Sequence, residues 1–395
     1  MTRAYYGWLA GATLSTFGDA TLFFALGWAA ADLGPQVAGL VLTAYTLPRA
    51  VLLLAGGVLG DRWGPRRVLL TCDFLLAFLT LLLAGAFHLV GTTAALLLLT
   101  AAAIGTVDAF VLPAAGAFPR LFADDKTLPK AMALRTSTQQ VVTLAAGPLG
   151  GLLVAVAGLV GALVVDGLTF LVSFVILLAI KPPLATAAVP SGQSVVNEAL
   201  DGIRLAWSEP VLRALLLTVG LTAAFVLPVT SLCVPLLARS NGWTASLAGL
   251  VVGATVVGSL LVTVAVARLG TFPLPGTAAA GGCLVAAAGI AALALSSNAY
   301  AALLCGLVQG VGVGLFTSHL APLFVASTPR SHLTRLQSLL SLAQTLPLIA
   351  SMNLLGGLAE TGAPIAVLTC AVGTALAGAT LLGARSVRKA NVGVS

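Results

Sequence analysis

Long apolar runs alternate with short polar links along the whole chain, and their length gives the first structural conclusion. A helix needs about 20 apolar residues to cross a bilayer. Twelve runs approach or exceed that length, near residues 5–30, 37–59, 67–88, 92–113, 131–156, 159–180, 211–238, 245–267, 274–295, 298–325, 333–357 and 363–384. Most links are as brief as Gly91-Thr92 or Ser296-Ser297-Asn298, and only 114–130 and 181–210 are long. The pattern predicts an all-α membrane protein with twelve transmembrane helices in two six-helix halves. The halves are residues 1–180 and 211–395, the second ending in a short tail, and 181–210 is a linker between them. Within that linker Val196, Leu200, Ile203 and Trp207 recur at helical spacing opposite Glu198, Asp201 and Arg204. The spacing predicts an amphipathic helix on the membrane surface or an ordinary linker helix.

Composition sharpens the class. The chain is 59% hydrophobic and 8% charged, where a soluble domain carries about a quarter charged residues. A net charge of +7 does not indicate nucleic acid, because the basic residues fall in short loops between apolar runs. With the N-terminus inside, 17 of the 19 lysines and arginines lie at inner loops and helix ends, which predicts cytoplasmic termini. The first run resembles a secretory signal, but Asp19 interrupts it and many spans follow, so a retained helix is expected. The five cysteines are scattered without disulfide or metal-ligand spacing. No phosphate loop or Ser/His/Asp constellation is present, so an enzyme, a cofactor, a metal site and ATP drive are not expected. Four lysines against fifteen arginines, with abundant Ala, Gly, Leu and Val, suggest a bacterium with a GC-rich genome; with the membrane class above, a bacterial inner membrane and a monomer are expected.

The halves echo each other. Arg62-Trp63-Gly64 recurs as Arg268-Leu269-Gly270, Gly105 and Pro113 recur as Gly314 and Pro322, and Pro148 has a counterpart in Pro347. Similar offsets point to a duplicated six-helix unit.

Polar groups inside apolar spans are costly and usually have a partner or a task. Asp19 lies in the first predicted helix, Arg49 in the second, Asp166 in the sixth and His319 in the tenth. An acid whose hydration alternates can take a proton on one side and release it on the other, so these four are candidates for proton coupling. A fixed ion pair between Asp19 and Arg49 is the competing expectation, and packing roles compete for Asp166 and His319. Gln139, Gln140, Gln309, Gln344 and Asn353 are candidates for lining a polar cavity or for hydrogen bonds between helices.

Two motifs carry a resemblance. Residues 57–67 read G-V-L-G-D-R-W-G-P-R-R, a charged hairpin between two spans. Gly57, Asp61, Arg62, Gly64 and Arg66 resemble the loop between helices 2 and 3 of major facilitator superfamily transporters. Asp73 and Asp108 lie towards the same membrane face, and pairing with Arg62, Arg66 or Arg67 would complete a conformational latch. Gly147, Pro148, Gly150 and Gly151 resemble the helix 5 motif of that superfamily's antiporters. Phe17-Gly18-Asp19, Leu47-Pro48, Pro113, Pro119, Leu121 and Asp166 before Phe170 are similar to a bacterial exporter subfamily that includes the enterobactin exporter and multidrug efflux proteins. Phe17-Gly18-Asp19 also looks like the start of lysophospholipid transporters. The resemblance implies the major facilitator fold and alternating access, with protons as coupling ion and a small amphipathic drug or metabolite exported. Lysophospholipid transport, and a transporter-derived sensor or scaffold that moves nothing, are the alternatives.

Overall fold

A computed structural model describes residues 3–122, 127–180, 207–270, 272–327 and 333–384. The predicted amphipathic helix of the linker, save for the exposed Trp207, and the tail after residue 384 lie outside the described residues. The described chain is helical, with no strand among the described residues. It groups into two compact units, residues 1–190 with 244–249, and residues 191–243 with 250–395.

The first unit holds α1 (Arg3–Asp32), α2 (Pro35–Trp63), α3 (Pro65–Val90), α4 (Ala94–Ala117) and α5 (Leu128–Ala179). Between α2 and α3 the chain reverses within one residue. Gly64 stands at φ 80°, ψ 144°, and its N–H closes the end of α2 on the Gly60 carbonyl. A left-handed φ favours glycine. Pro65 then starts α3, where a missing N–H costs nothing. The end of the unit carrying this turn is called the hairpin end below. At 52 residues α5 would run about 78 Å if straight, more than twice a bilayer's hydrocarbon core of about 30 Å. It breaks at Gly158, where φ 61° and ψ −164° leave the helical region. The predicted fifth and sixth helices are therefore its two limbs. Asp166 belongs to the second limb, which runs back towards the hairpin end.

The second unit holds α6 (Pro210–Phe225), α7 (Val234–Ser240), α8 (Ala245–Leu269, its first turn grouped with the first unit), α9 (Pro275–Ala294), α10 (Ala299–Ala326), α11 (Leu333–Ala359) and α12 (Ala363–Gly383). The continuous helix predicted for 211–238 is interrupted. A π-helical turn, Val229–Cys233, separates α6 from α7. Pro228 has no N–H to offer the preceding turn, and Pro235 follows within the next helix.

Small residues set the helix spacing in both units. A β-carbon on Gly105 of α4 would overlap the Tyr45 carbonyl of α2, and one on Gly56 would lie 2.5 Å from the Ala109 carbonyl. In the second unit a β-carbon on Gly310 of α10 would overlap the Thr255 carbonyl of α8, and one on Gly314 would lie 2.7 Å from the Ser259 carbonyl. The same small-residue crossing thus joins α2 to α4 and α8 to α10, as internal duplication requires.

At the hairpin end an aromatic core closes the first unit. Tyr5, Trp8, Phe118 and Phe122 are buried together, the Trp8 and Phe118 rings lie 4.9 Å apart, and Tyr5 donates to the Ala131 carbonyl at 2.6 Å.

Candidate functional site

The polar residues of the first unit form one connected group, positioned by the crossing of α1 with the second limb of α5. These helices run antiparallel in contact, so Gly11 packs on Ser173 and Gly18 on Asp166 and Thr169. A β-carbon at Gly18 would lie 2.5 Å from the Asp166 Oδ1 and would overlap the Thr169 hydroxyl. The glycine therefore makes room for the acid. Asp166 is fully buried, and neither carboxylate oxygen has a hydrogen-bond partner among the described residues. Asp19, the next residue on α1, lies within electrostatic reach of Asp108, Asp166, Arg49 and Asp73.

The other charges are held by neutral side chains. Tyr45 on α2 donates its hydroxyl proton to Asp108 Oδ2 on α4. Arg49, one turn further along α2, donates to the Tyr45 oxygen at 3.5 Å, and its guanidinium carbon lies 5.9 Å from the Tyr45 ring centre. Asp73 on α3 accepts from Ser173 of α5 at 2.7 Å. Among the described residues no ion pair joins Asp19 to Arg49, so the fixed pair is not what ties α1 to α2.

The latch residues are arranged differently from the expectation. Asp73 and Asp108 pair with Ser173 and Tyr45, not with Arg62, Arg66 or Arg67. The reason is geometric: Asp73 stands seven residues beyond Arg66 on one helix, about 10 Å along its axis. Arg66 instead caps the end of α5, donating to the carbonyls of Leu177 at 2.9 Å, Ile180 at 3.2 Å and Leu178 at 3.3 Å. These carbonyls carry the negative end of the helix dipole, which suits a guanidinium. Arg62 and Arg67 are exposed. The surroundings of Gly57 and the side chains of Asp61 and Gln140 lie outside the described residues.

A chamber of about 60 Å³ opens inside the first unit and is lined by Thr13, Thr16, Asp19, Asp73, Arg135, Thr138, Gln139 and Ser173, among others. The second unit holds a cavity of about 330 Å³ between α6, α9, α10, α11 and α12. Its wall is apolar, from Val219, Val226, Val313, Phe316 and Leu320 among others. Thr222, Thr317, Gln344 and Thr374 are its polar points, with no charged residue among the described lining. Gln344 thus lines a cavity, whereas Gln309 is buried with its amide unpartnered among the described residues. Asn353 donates to the Ile349 carbonyl of its own helix. His319 is fully buried. Its Nε2 accepts from the Phe272 N–H at 3.1 Å, so the ring proton sits on Nδ1, 2.8 Å from the Leu315 carbonyl. With both nitrogens engaged and its ring stacked on Phe272 at 5.2 Å, His319 braces the segment before α9.

In the helix 5 motif, a β-carbon on Gly150 would lie 3.1 Å from the Thr21 methyl of α1. One on Gly151 would lie 2.5 Å from the Ala245 carbonyl, in the turn of α8 that belongs to the first unit.

Long apolar helices in a duplicated arrangement, with buried carboxylates and internal cavities, define a polytopic membrane transporter. The sequence model of the Major Facilitator Superfamily matches residues 8–350, and the chain belongs to that family. No functionally curated protein matches the sequence. Solved structures share the fold at low identity. A bacterial homologue of the human lysosomal transporter Spinster, inward-facing and unoccupied, is 16% identical with a TM-score of 0.75 over 98% of each chain. A bacterial homologue of the iron transporter ferroportin, inward-facing, is 19% identical with a TM-score of 0.74, covering 96% of this chain and 98% of that one. The nucleoside transporter NupG is 13% identical with a TM-score of 0.73, covering 99% of this chain and 100% of that one.

Proposed function

We propose that this chain is a proton-coupled antiporter that exports a small amphipathic molecule, a drug or secondary metabolite, by alternating access. Twelve crossings would result from counting the limbs of α5 separately and α6 with α7 as one span. The protein would work as a monomer in a bacterial inner membrane, with both termini cytoplasmic. The observation that carries the coupling reading is the setting of Asp19. It lines a chamber that several polar side chains share, stands among three further carboxylates, and is not clamped in an ion pair among the described residues. An acid so placed can change its hydration, and with it its proton occupancy, as a transporter alternates between states. The hairpin of Gly57, Asp61, Arg62 and Gly64 would favour one of those states, with Arg66 fixing the neighbouring helix end.

The uncharged cavity of about 330 Å³ in the second unit fits the apolar part of an amphipathic cargo. It equally favours a second reading, in which the cargo is a lipid or lysophospholipid. Both readings are tested in proteoliposomes under an imposed pH gradient, using a panel of amphipathic dyes and a fluorescent lysophospholipid. Accumulation of a dye against its gradient supports the first, and of the lysolipid the second. Flux of neither, under any gradient, would favour a non-transporting sensor or scaffold.

A further inference from the structure

The chamber of the first unit joins two acids that stand at different depths. Ser173 packs at the level of Gly11 and Asp166 at the level of Gly18. Asp73, hydrogen-bonded to Ser173, therefore lies about two helical turns, ~12 Å, nearer the hairpin end than Asp19. The wall between them is mixed, with polar side chains set among apolar ones such as Ala12, Val111 and Phe170. Thr13 and Thr16 lie on α1 between the two levels and donate to the Leu9 and Ala12 carbonyls, which leaves their oxygens free to accept. Gln139 and Thr138 face the same space from α5. The volume holds a few water molecules, and about four in line span the gap at hydrogen-bond spacing.

We propose that this chamber is a proton path through the interior of the first unit, with Asp73 as the relay that supplies Asp19 through water. The inference rests on Asp19 as the coupling acid and adds the route by which its proton arrives. A hydronium ion that reaches the Asp73 side of the chamber gives its proton to Asp73 and leaves as water. Asp73 then passes that proton to the chamber water as the far end of the water line protonates Asp19, and returns to a carboxylate held by Ser173. One proton moves and no electron does. Ser173 donates to Oδ2 alone, so Oδ1 receives the proton. The charges facing Asp19 are Asp73 from α3, Arg49 beside Tyr45 from α2, Asp108 from α4, Asp166 from the second limb of α5, and Arg135 from its first limb. Arg135 lines the same chamber from the first limb of α5.

The path is tested without knowing the cargo. Infrared spectra of the whole protein in liposomes give the carboxylic acid band of Asp19, assigned by its loss in Asp19→Asn. Rapid transfer to heavy water then gives the rate at which that acid exchanges its proton. Asp73→Asn keeps an acceptor for Ser173 but cannot relay a proton, and it should slow Asp19 exchange roughly a hundredfold, the lower end of what a positioned proton-transfer group contributes. Ala12→Val fills chamber space without removing an acid and should also slow exchange. Unchanged Asp19 exchange in a folded Asp73→Asn protein overturns the path, and if that variant does not fold, unchanged exchange in Ala12→Val does so. A wild-type protein with no Asp19 acid band at any pH where it stays folded defeats the coupling reading itself, a result distinct from either.

Discussion

Replacing Gly18 by alanine tests how the buried acid is accommodated. The added methyl group would sit 2.5 Å from the Asp166 Oδ1 and 3.2 Å from its Cα, and would overlap the Thr169 hydroxyl. Side chains can rotate away, but the backbone atom cannot, so α1 and the second limb of α5 must separate slightly. Overpacking of this kind costs about 1–3 kcal/mol. Alanine also gains up to ~1 kcal/mol over glycine in a helix interior, which would mask part of the loss. Gly85 in α3 supplies the control, because a β-carbon there meets nothing within 4 Å. The propensity gain is common to both variants, so the difference between Gly18→Ala and Gly85→Ala isolates the overlap at about 1–3 kcal/mol. Thermal unfolding in detergent, followed by intrinsic fluorescence, compares them. Adding Thr169→Ala removes one overlapping group and should restore part of the loss, a coupling that a double-mutant cycle reads directly. Equal stability of the Gly18 and Gly85 variants would refute the close crossing and the account of Asp166 that depends on it.

Three further outcomes follow from the same geometry. Tyr45→Phe leaves a buried Asp108 oxygen without its donor and should destabilise the protein by about 1–3 kcal/mol; unchanged thermal stability would show that the Tyr45–Asp108–Arg49 group does not brace α2 against α4. Val313→Trp reduces the apolar cavity and should weaken the apparent affinity of any stabilising dye or lysolipid, read by thermal shift, about tenfold, whereas an unchanged affinity would move the cargo's apolar part elsewhere. A single cysteine at Ser395, in a protein cleared of native cysteines, should be labelled only after intact cells are opened; labelling from outside would reverse the topology.

The fold was legible because membrane helices announce themselves by length. The break between the predicted fifth and sixth helices was visible in the sequence around Gly158, since two crossings were needed and a glycine stood between the runs. The interruption at Val229–Cys233 was not, because a π-helical turn leaves the apolar pattern unbroken and Pro228 reads as one more kink. At the site, the ionisable residues were found because charge is rare in these spans, but their partners were not. Tyr45 and Ser173 are neutral and common, although their spacing was informative. Tyr45 precedes Arg49 by one turn, and Asp166, Thr169 and Ser173 form a polar stripe on one helix face. Pairing Asp73 and Asp108 with arginines failed because opposite charge ignores depth, and each acid bonds a neutral side chain on a neighbouring helix. Arg135 lines the chamber, and nothing in the sequence separates it from the other basic residues near the helix ends.

The most direct test of the central claim compares two fluxes for one variant. Asp19→Asn preserves size and polarity but cannot release a proton. Reconstituted with a dye or lysolipid that the wild-type protein transports, it should lose accumulation driven by a pH gradient while retaining downhill exchange of the same molecule. Accumulation at the wild-type rate, or equal loss of both fluxes, would contradict the assignment of Asp19 as the coupling acid.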